Sequence, residues 1–166
     1  MRKAALALLA VALVATGCSH EPGTSGHGSA SGRLPDVSLA SLTGGPAVDL
    51  GKLRGPAVVN LWAQWCTPCR RELPIYESFY QQHHAVVSVL GVDWQDTRPD
   101  DARSLARTSG VTYPLVADTE PEIRGRFLPK LVLVDADGKI AYEEYVEIKS
   151  LDQLEQLVEK HLGVRL

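Results

Sequence analysis

Cysteine is scarce in this chain, with only Cys18, Cys66 and Cys69 among 166 residues. That leaves no pair for a structural staple beyond Cys66 and Cys69. There is also no second Cys-x-x-Cys to complete a zinc site, which normally takes four Cys or His ligands. His83 and His84 are adjacent rather than spaced as ligands, so no metal and no cofactor is expected. Basic charge is lacking too. The formal net charge is −3, and the chain holds no basic cluster, which argues against nucleic acid as a partner. Beyond the first residues no apolar run approaches the roughly 20 residues that span a bilayer. No internal repeat is present.

What the chain does have is Cys66-Thr67-Pro68-Cys69, placed behind Trp65 at the end of an apolar run. Ala57 to Trp62 is short and apolar and reads as a buried strand, and from Arg70 onward the apolar spacing is helical. Cys66 therefore falls at a strand-to-helix junction. Free backbone N–H groups and the positive end of the helix dipole favour a thiolate there. The thiolate is the species that attacks a disulfide, and lowering its pKa from about 8.5 toward 7 makes it available at neutral pH. A purely structural bridge between these two residues would close so small a loop that it removes little unfolded-state entropy. The pattern points to redox exchange between Cys66 and Cys69.

The N-terminus carries a different signal. Met1-Arg2-Lys3 is basic, Ala4 to Val14 is apolar, and Ala15-Thr16-Gly17 supplies small residues before Cys18. This is the layout of an export signal over residues 1–17. A cysteine directly after a small residue resembles the lipobox of bacterial lipoproteins, which makes Cys18 the expected lipid attachment site. Residues 18–33 are rich in Gly, Ser, His and Pro and poor in apolar side chains, as in a flexible tether. About 15 such residues give a span of roughly 20 Å and a stretched limit near 50 Å. Without Arg2 and Lys3 the net charge of −3 becomes −5.

Residues 34–166 suit one α/β domain. Strand-like pieces at Val37 to Leu42 and Ala47 to Leu50 flank the turn Thr43-Gly44-Gly45-Pro46. After the strand ending at Trp62, a helix is expected from Thr67 to His83, kinked at Pro74. Ala85 to Val92 reads as a second buried strand. Asp100 to Ser109 follows as a helix closed by Gly110. Tyr113 to Ala117 is extended, and Glu120 to Phe127 is expected as a short helix. Leu131 to Val134 and Lys139 to Val146 form a hairpin around Asp135-Ala136-Asp137-Gly138. Leu151, Leu154, Leu157, Val158 and Leu162 mark a closing helix.

The stretch from Val59 through Trp65-Cys66-Thr67-Pro68-Cys69 to Pro74 resembles the active-site segment of the TlpA/ResA/DsbE-like thiol–disulfide oxidoreductases of the thioredoxin superfamily. The resemblance runs from Leu34-Pro35-Asp36 to Lys139. It implies a thioredoxin-like fold, with a central mixed sheet, helices on both faces and an N-terminal β extension. It implies a cis-proline at Pro129 beside the disulfide, whose neighbouring backbone pairs with a substrate chain. Asn60 stands where cytoplasmic thioredoxins carry a buried Asp, and a loop acid takes that part in the family. Asp96 is the better-aligned candidate to assist Cys69, with Asp93 second. Two departures fall at the substrate-facing rim. Lys130 follows the proline where a small residue is usual, and the segment between Thr119 and Pro129 is shortened.

The implied mechanism is dithiol–disulfide exchange, with Cys66 as nucleophile and Cys69 as resolving thiol. The implied partners are thiols or disulfides of exported proteins, such as apocytochrome c or copper-site proteins. Electrons would come from a membrane thiol carrier, with the enzyme held by its lipid at the outer face of the cytoplasmic membrane. A disulfide-forming oxidant of the same fold is one alternative. A non-catalytic module binding copper or a partner through the same thiols is another. A peroxidase fits poorly, because Ala63 stands three residues before Cys66, where peroxiredoxins need Thr or Ser.

Overall fold

The computed structural model of the chain describes residues 32–166. The expected signal (1–17), Cys18 and all but the end of the tether lie outside the described residues.

Five strands form the central sheet: β3 (Ala57–Trp62), β4 (Ser88–Trp94), β5 (Leu115–Asp118), β6 (Lys130–Val134) and β7 (Ile140–Glu144). Their order is β5-β4-β3-β6-β7. The β3–β4 and β4–β5 pairs are parallel, and the β3–β6 and β6–β7 pairs are antiparallel. A small ribbon of β1 (Ser38–Leu39) and β2 (Val48–Asp49) precedes it, followed by a 3-10 turn at Leu50–Lys52. The helices are α1 (Thr67–His83), α2 (Pro99–Thr108) and α3 (Leu151–Leu162).

Strand alternation divides the core in two. Val58 and Trp62 on β3 and Leu131 and Leu133 on β6 pack with the buried faces of all three α-helices. Val59, Leu61, Val132 and Val134 point the other way, onto Leu34, Leu39, Leu50, Trp94 and Ile123. The second face is thus covered by the N-terminal ribbon, the 3-10 turn and the 119–129 segment, so the α-helices expected on both faces pack against one. Gly91 makes the close packing of β4 possible. A Cβ there would lie 2.4 Å from Leu115 Cδ2 and 3.2 Å from Trp62 Nε1.

Local chemistry sets the helix ends. Ser150 caps α3 by accepting from Gln153 N, and Gly163 ends it at φ 66°. Gly110, at φ +73°, closes α2 with two paired bonds, Val111 N to Ala106 O and Gly110 N to Arg107 O. This is the Schellman arrangement, and it needs the left-handed conformation that glycine adopts freely. α1 runs as one helix from Thr67 to His83 with Pro74 inside it.

The helix expected over Glu120 to Phe127 is not there; the segment is a series of bends. Side chains from elsewhere satisfy its backbone instead. The Asp118 carboxylate accepts from Glu122 N and Ile123 N, at 2.9 and 3.0 Å. Trp94 Nε1 donates to Ile123 O, Lys130 Nζ donates to Arg124 O, and Arg126 N donates to Tyr145 Oη. Gly125 lies against the Trp94 ring, with 2.8 Å from an added Cβ to Cζ2. With these groups paired, a helical ladder has nothing left to gain.

Candidate active site

Cys66 is the N-cap residue of α1, with extended backbone (φ −82°, ψ 101°), and Pro68 follows in the first turn. Its sulfur accepts from Cys69 N at 3.3 Å. That N–H is one of those a helix leaves unpaired at its start. Cys66 and Cys69 are joined as a disulfide with Cα atoms 5.3 Å apart. Cys66 is 4% exposed and Cys69 0%, so any approach from solvent meets the first sulfur. Trp65, 50% exposed, stands at the rim, whereas Trp62 is fully in the core.

The turn before Cys66 is held by Asp96. Its Oδ2 accepts from Gln64 N and its Oδ1 from Arg98 N, both at 2.9 Å. A buried carboxylate thereby fastens the β3–α1 turn to the β4–α2 loop, where Gln95 adopts a positive φ of 53°. Asp93, directly opposite Trp62 in the β3–β4 register, is buried, and neither of its oxygens has a partner among the described residues. Burial, and then the charge of Asp96, push its carboxyl up to about 8. Asn60 lies on the same face of β3 beside Tyr113, with its Oδ1 unpartnered among the described residues.

The Leu128–Pro129 bond is cis, as the resemblance implies. Pro129 directly precedes β6, whose first residue, Lys130, pairs with Leu61. β3 and β6 are antiparallel, so the Pro129 loop and the Cys66 turn lie at the same end of the sheet. Leu128 packs against the core cluster that contains both cysteines.

One residue escaped the sequence reading. Glu72, one helical turn beyond Cys69, is buried on the inner face of α1, and its Oε1 accepts from Ile148 N at 2.5 Å. Burial is the main cause that pushes its carboxyl up to about 8; the Ile148 bond works against it, and Glu147 adds to it. The signal was in the spacing. Cys69, Glu72, Leu73, Tyr76 and Phe79 form one buried stripe, and a glutamate inside an apolar stripe announces a buried acid.

No group of three His, Cys, Asp or Glu side chains among the described residues is arranged to hold a metal ion. His83 is paired with Glu155 at 2.8 Å, tying α1 to α3.

A helix start that offers an N–H to one sulfur while shielding the other is built to form and break a disulfide, which on this sheet order is the chemistry of thioredoxin-like thiol–disulfide oxidoreductases. Residues 31–143 match the AhpC/TSA family, and the chain belongs to that family. It is similar to the thiol–disulfide oxidoreductase ResA of Bacillus thuringiensis, with 29% identity over 123 residues covering 70% of this chain and 69% of that one. ResA of Bacillus subtilis is 27% identical over 104 residues, covering 59% and 58%. Among solved structures, a secreted thiol–disulfide isomerase of Corynebacterium glutamicum superposes with a TM-score of 0.63 at 26% identity, over 76% of this chain and 85% of that one. A secreted disulfide oxidoreductase of Mycobacterium tuberculosis, homologous to DsbE of E. coli, shares the fold at a TM-score of 0.66 and 20% identity, over 75% and 96%. The protein is accordingly an enzyme, a thiol–disulfide oxidoreductase of the ResA/DsbE type with Cys66 and Cys69 at disulfide distance.

Proposed function

We propose that the protein is an exported, lipid-anchored reductant that returns disulfides of exported proteins to dithiols. The observation that carries its exchange chemistry is the hydrogen bond from Cys69 N to Cys66 Sγ at the start of α1. In the reduced enzyme that donor stabilises a Cys66 thiolate. The thiolate attacks one sulfur of a client disulfide, forming a mixed disulfide and releasing the other client sulfur as a thiolate, which takes up a proton. Cys69 then gives up its proton and attacks Cys66 Sγ. The client leaves with both sulfurs reduced, and the enzyme holds the Cys66–Cys69 disulfide. Two electrons have moved from enzyme to client, and a dithiol carrier on the membrane restores them.

Cys69 must lose a proton in a buried place, and Glu72 one turn away is the acceptor in this reading. A carboxyl whose pKa lies near the working pH can take a proton and return it. Asp96, with both oxygens engaged by backbone N–H groups, acts as a positioning residue for the Cys66 turn. Pro129 brings no N–H to its loop and leaves the adjacent backbone for the client chain.

Export and anchoring rest on residues 1–18, whose basic start, apolar core and small residues before Cys18 form a lipoprotein-type signal. The similar structures from two other bacteria are described as secreted. Exported apocytochrome c or copper-site proteins are the client class, because their thiols must stay reduced in an oxidising compartment.

Insulin reduction coupled to dithiothreitol tests the activity. Sustained turnover supports it, and binding of thiol partners without turnover assigns the thiols to a binding module instead. Mass spectrometry of the mature N-terminus tests the anchor. A diacylated or triacylated Cys18 is expected, and a product cleaved elsewhere refutes it.

A further inference from the structure

The exchange chemistry makes no use of a cavity of about 590 Å³ that opens on the face of the sheet away from the three α-helices. It exists where the 119–129 segment runs as bends instead of a helix. Val132 and Ile140 contribute to its apolar floor, while four cations (Arg33, Arg124, Arg126, Lys130) and two carboxylates (Glu122, Glu143) line it. Lys130, only 6% exposed, donates to Arg124 O at 2.9 Å and pairs with Glu143 at 2.9 Å. Glu143 is thereby neutralised. The guanidinium groups of Arg124 and Arg126 have no ion-pair partner among the described residues. Both are exposed.

The position of this cavity ties it to the disulfide. Lys130 directly follows Pro129, and Arg126 is three residues before it, with Phe127 between, 55% exposed and set against Tyr145 at 4.2 Å. The Leu128–Pro129 loop lies at the same end of the sheet as the Cys66 turn, and Arg126 is three residues from Pro129. An extended chain advances about 3.3 Å per residue, so a client chain running along that loop would carry the neighbours of its reactive cysteine toward Arg126. Planar guanidinium groups suit a carboxylate there, because each offers two parallel N–H donors.

We propose that this cavity is a specificity subsite that receives an acidic side chain of the client polypeptide, close in sequence to the cysteine under attack. The proposal deepens the function given above and rests on it. Arg124 and Arg126 supply the selecting charge, and the Lys130–Glu143 pair is a fixed part of the wall.

The test uses two disulfide-bonded peptides, identical except that the residues flanking the cysteine are Glu in one and Lys in the other. The dithiol form of the full chain reduces each, and 2-hydroxyethyl disulfide serves as an uncharged substrate. Reduction of the uncharged disulfide by the wild-type protein reads the oxidoreductase function alone; if it fails, that function is refuted and this subsite with it. If it succeeds, the acidic peptide is expected to show a kcat/KM about fivefold higher than the basic one, which is about 1 kcal/mol. The ratio is expected to fall in 0.5 M salt, at roughly a 4 Å screening length. The double variant Arg124→Glu with Arg126→Glu is expected to invert it. Both side chains are exposed, and unchanged circular dichroism would show that the variant is folded. Equal rates for the two peptides with wild type, or an unchanged ratio in the folded double variant, would overturn the subsite while leaving the exchange function standing.

Discussion

Glu72→Gln should change the pH dependence of stability strongly. The carboxyl of Glu72 is buried, and its pKa is raised from 4.5 to about 8. Each tenfold change in proton affinity is worth about 1.4 kcal/mol, so the whole rise corresponds to about 5 kcal/mol. The sign follows from which state holds the proton. Below pH 4.5 both folded and unfolded chains are protonated and Glu72 costs nothing. Between 4.5 and about 8 the unfolded chain releases its proton while the folded chain keeps it, so stability falls as pH rises. Above about 8 the folded chain ionises too, and the penalty levels off. Glutamine removes the ionisation while keeping an oxygen that can accept from Ile148 N. Urea unfolding of the oxidised protein at pH 5 and pH 9 measures the effect. The variant should match wild type at pH 5 within about 1 kcal/mol, the worth of an altered hydrogen bond. At pH 9 it should exceed wild type by several kcal/mol. Parallel pH profiles for the two proteins would refute the buried-acid account.

Three further outcomes follow from the same geometry. Cys69→Ser should accumulate mixed disulfides with client proteins on non-reducing gels and Cys66→Ser should not; equal trapping would reverse or void the assigned roles. Asp96→Asn replaces an oxygen that accepts from a backbone N–H with an amide that cannot, at a cost of about 1–3 kcal/mol, and should slow exchange without moving its pH profile, whereas a moved profile would make Asp96 the proton carrier. Gly91→Ala forces a methyl to 2.4 Å from Leu115 Cδ2 and should lower stability by about 1–3 kcal/mol through overpacking; an unchanged urea midpoint would show that β4 has room to spare.

The central parts of the fold were legible because their signals are local. The run Ala57–Trp62, the Cys66 junction, the stripe of α1 and the Gly110 terminator each declare themselves within a few residues. The same locality hid the rest. Residues 120–127 have helix-compatible composition, yet their backbone bonds go to Asp118, Trp94, Lys130 and Tyr145, partners drawn from β4, β5, β6 and the segment after β7. Asp118 and Lys130 flank the segment, but Trp94 and Tyr145 are remote in sequence, and no local window shows that the fold brings them to it. The acids divide in the same way. Asp93 and Asp96 are three residues apart and look alike in sequence, but Asp93 lies in β4 and only Asp96, in the loop after it, meets two backbone donors. Glu72 stands out in the sequence as an acid within an apolar stripe, but its partner, Ile148 N, lies 76 residues away.

The most direct test of the account is a redox titration of the Cys66–Cys69 couple in the purified chain against a dithiol buffer of known potential. A reductant of exported proteins should give a reversible two-electron transition near the thioredoxin value of about −270 mV. A transition near about −120 mV would make the protein a disulfide donor, and the absence of any reversible couple would contradict exchange chemistry at this site altogether.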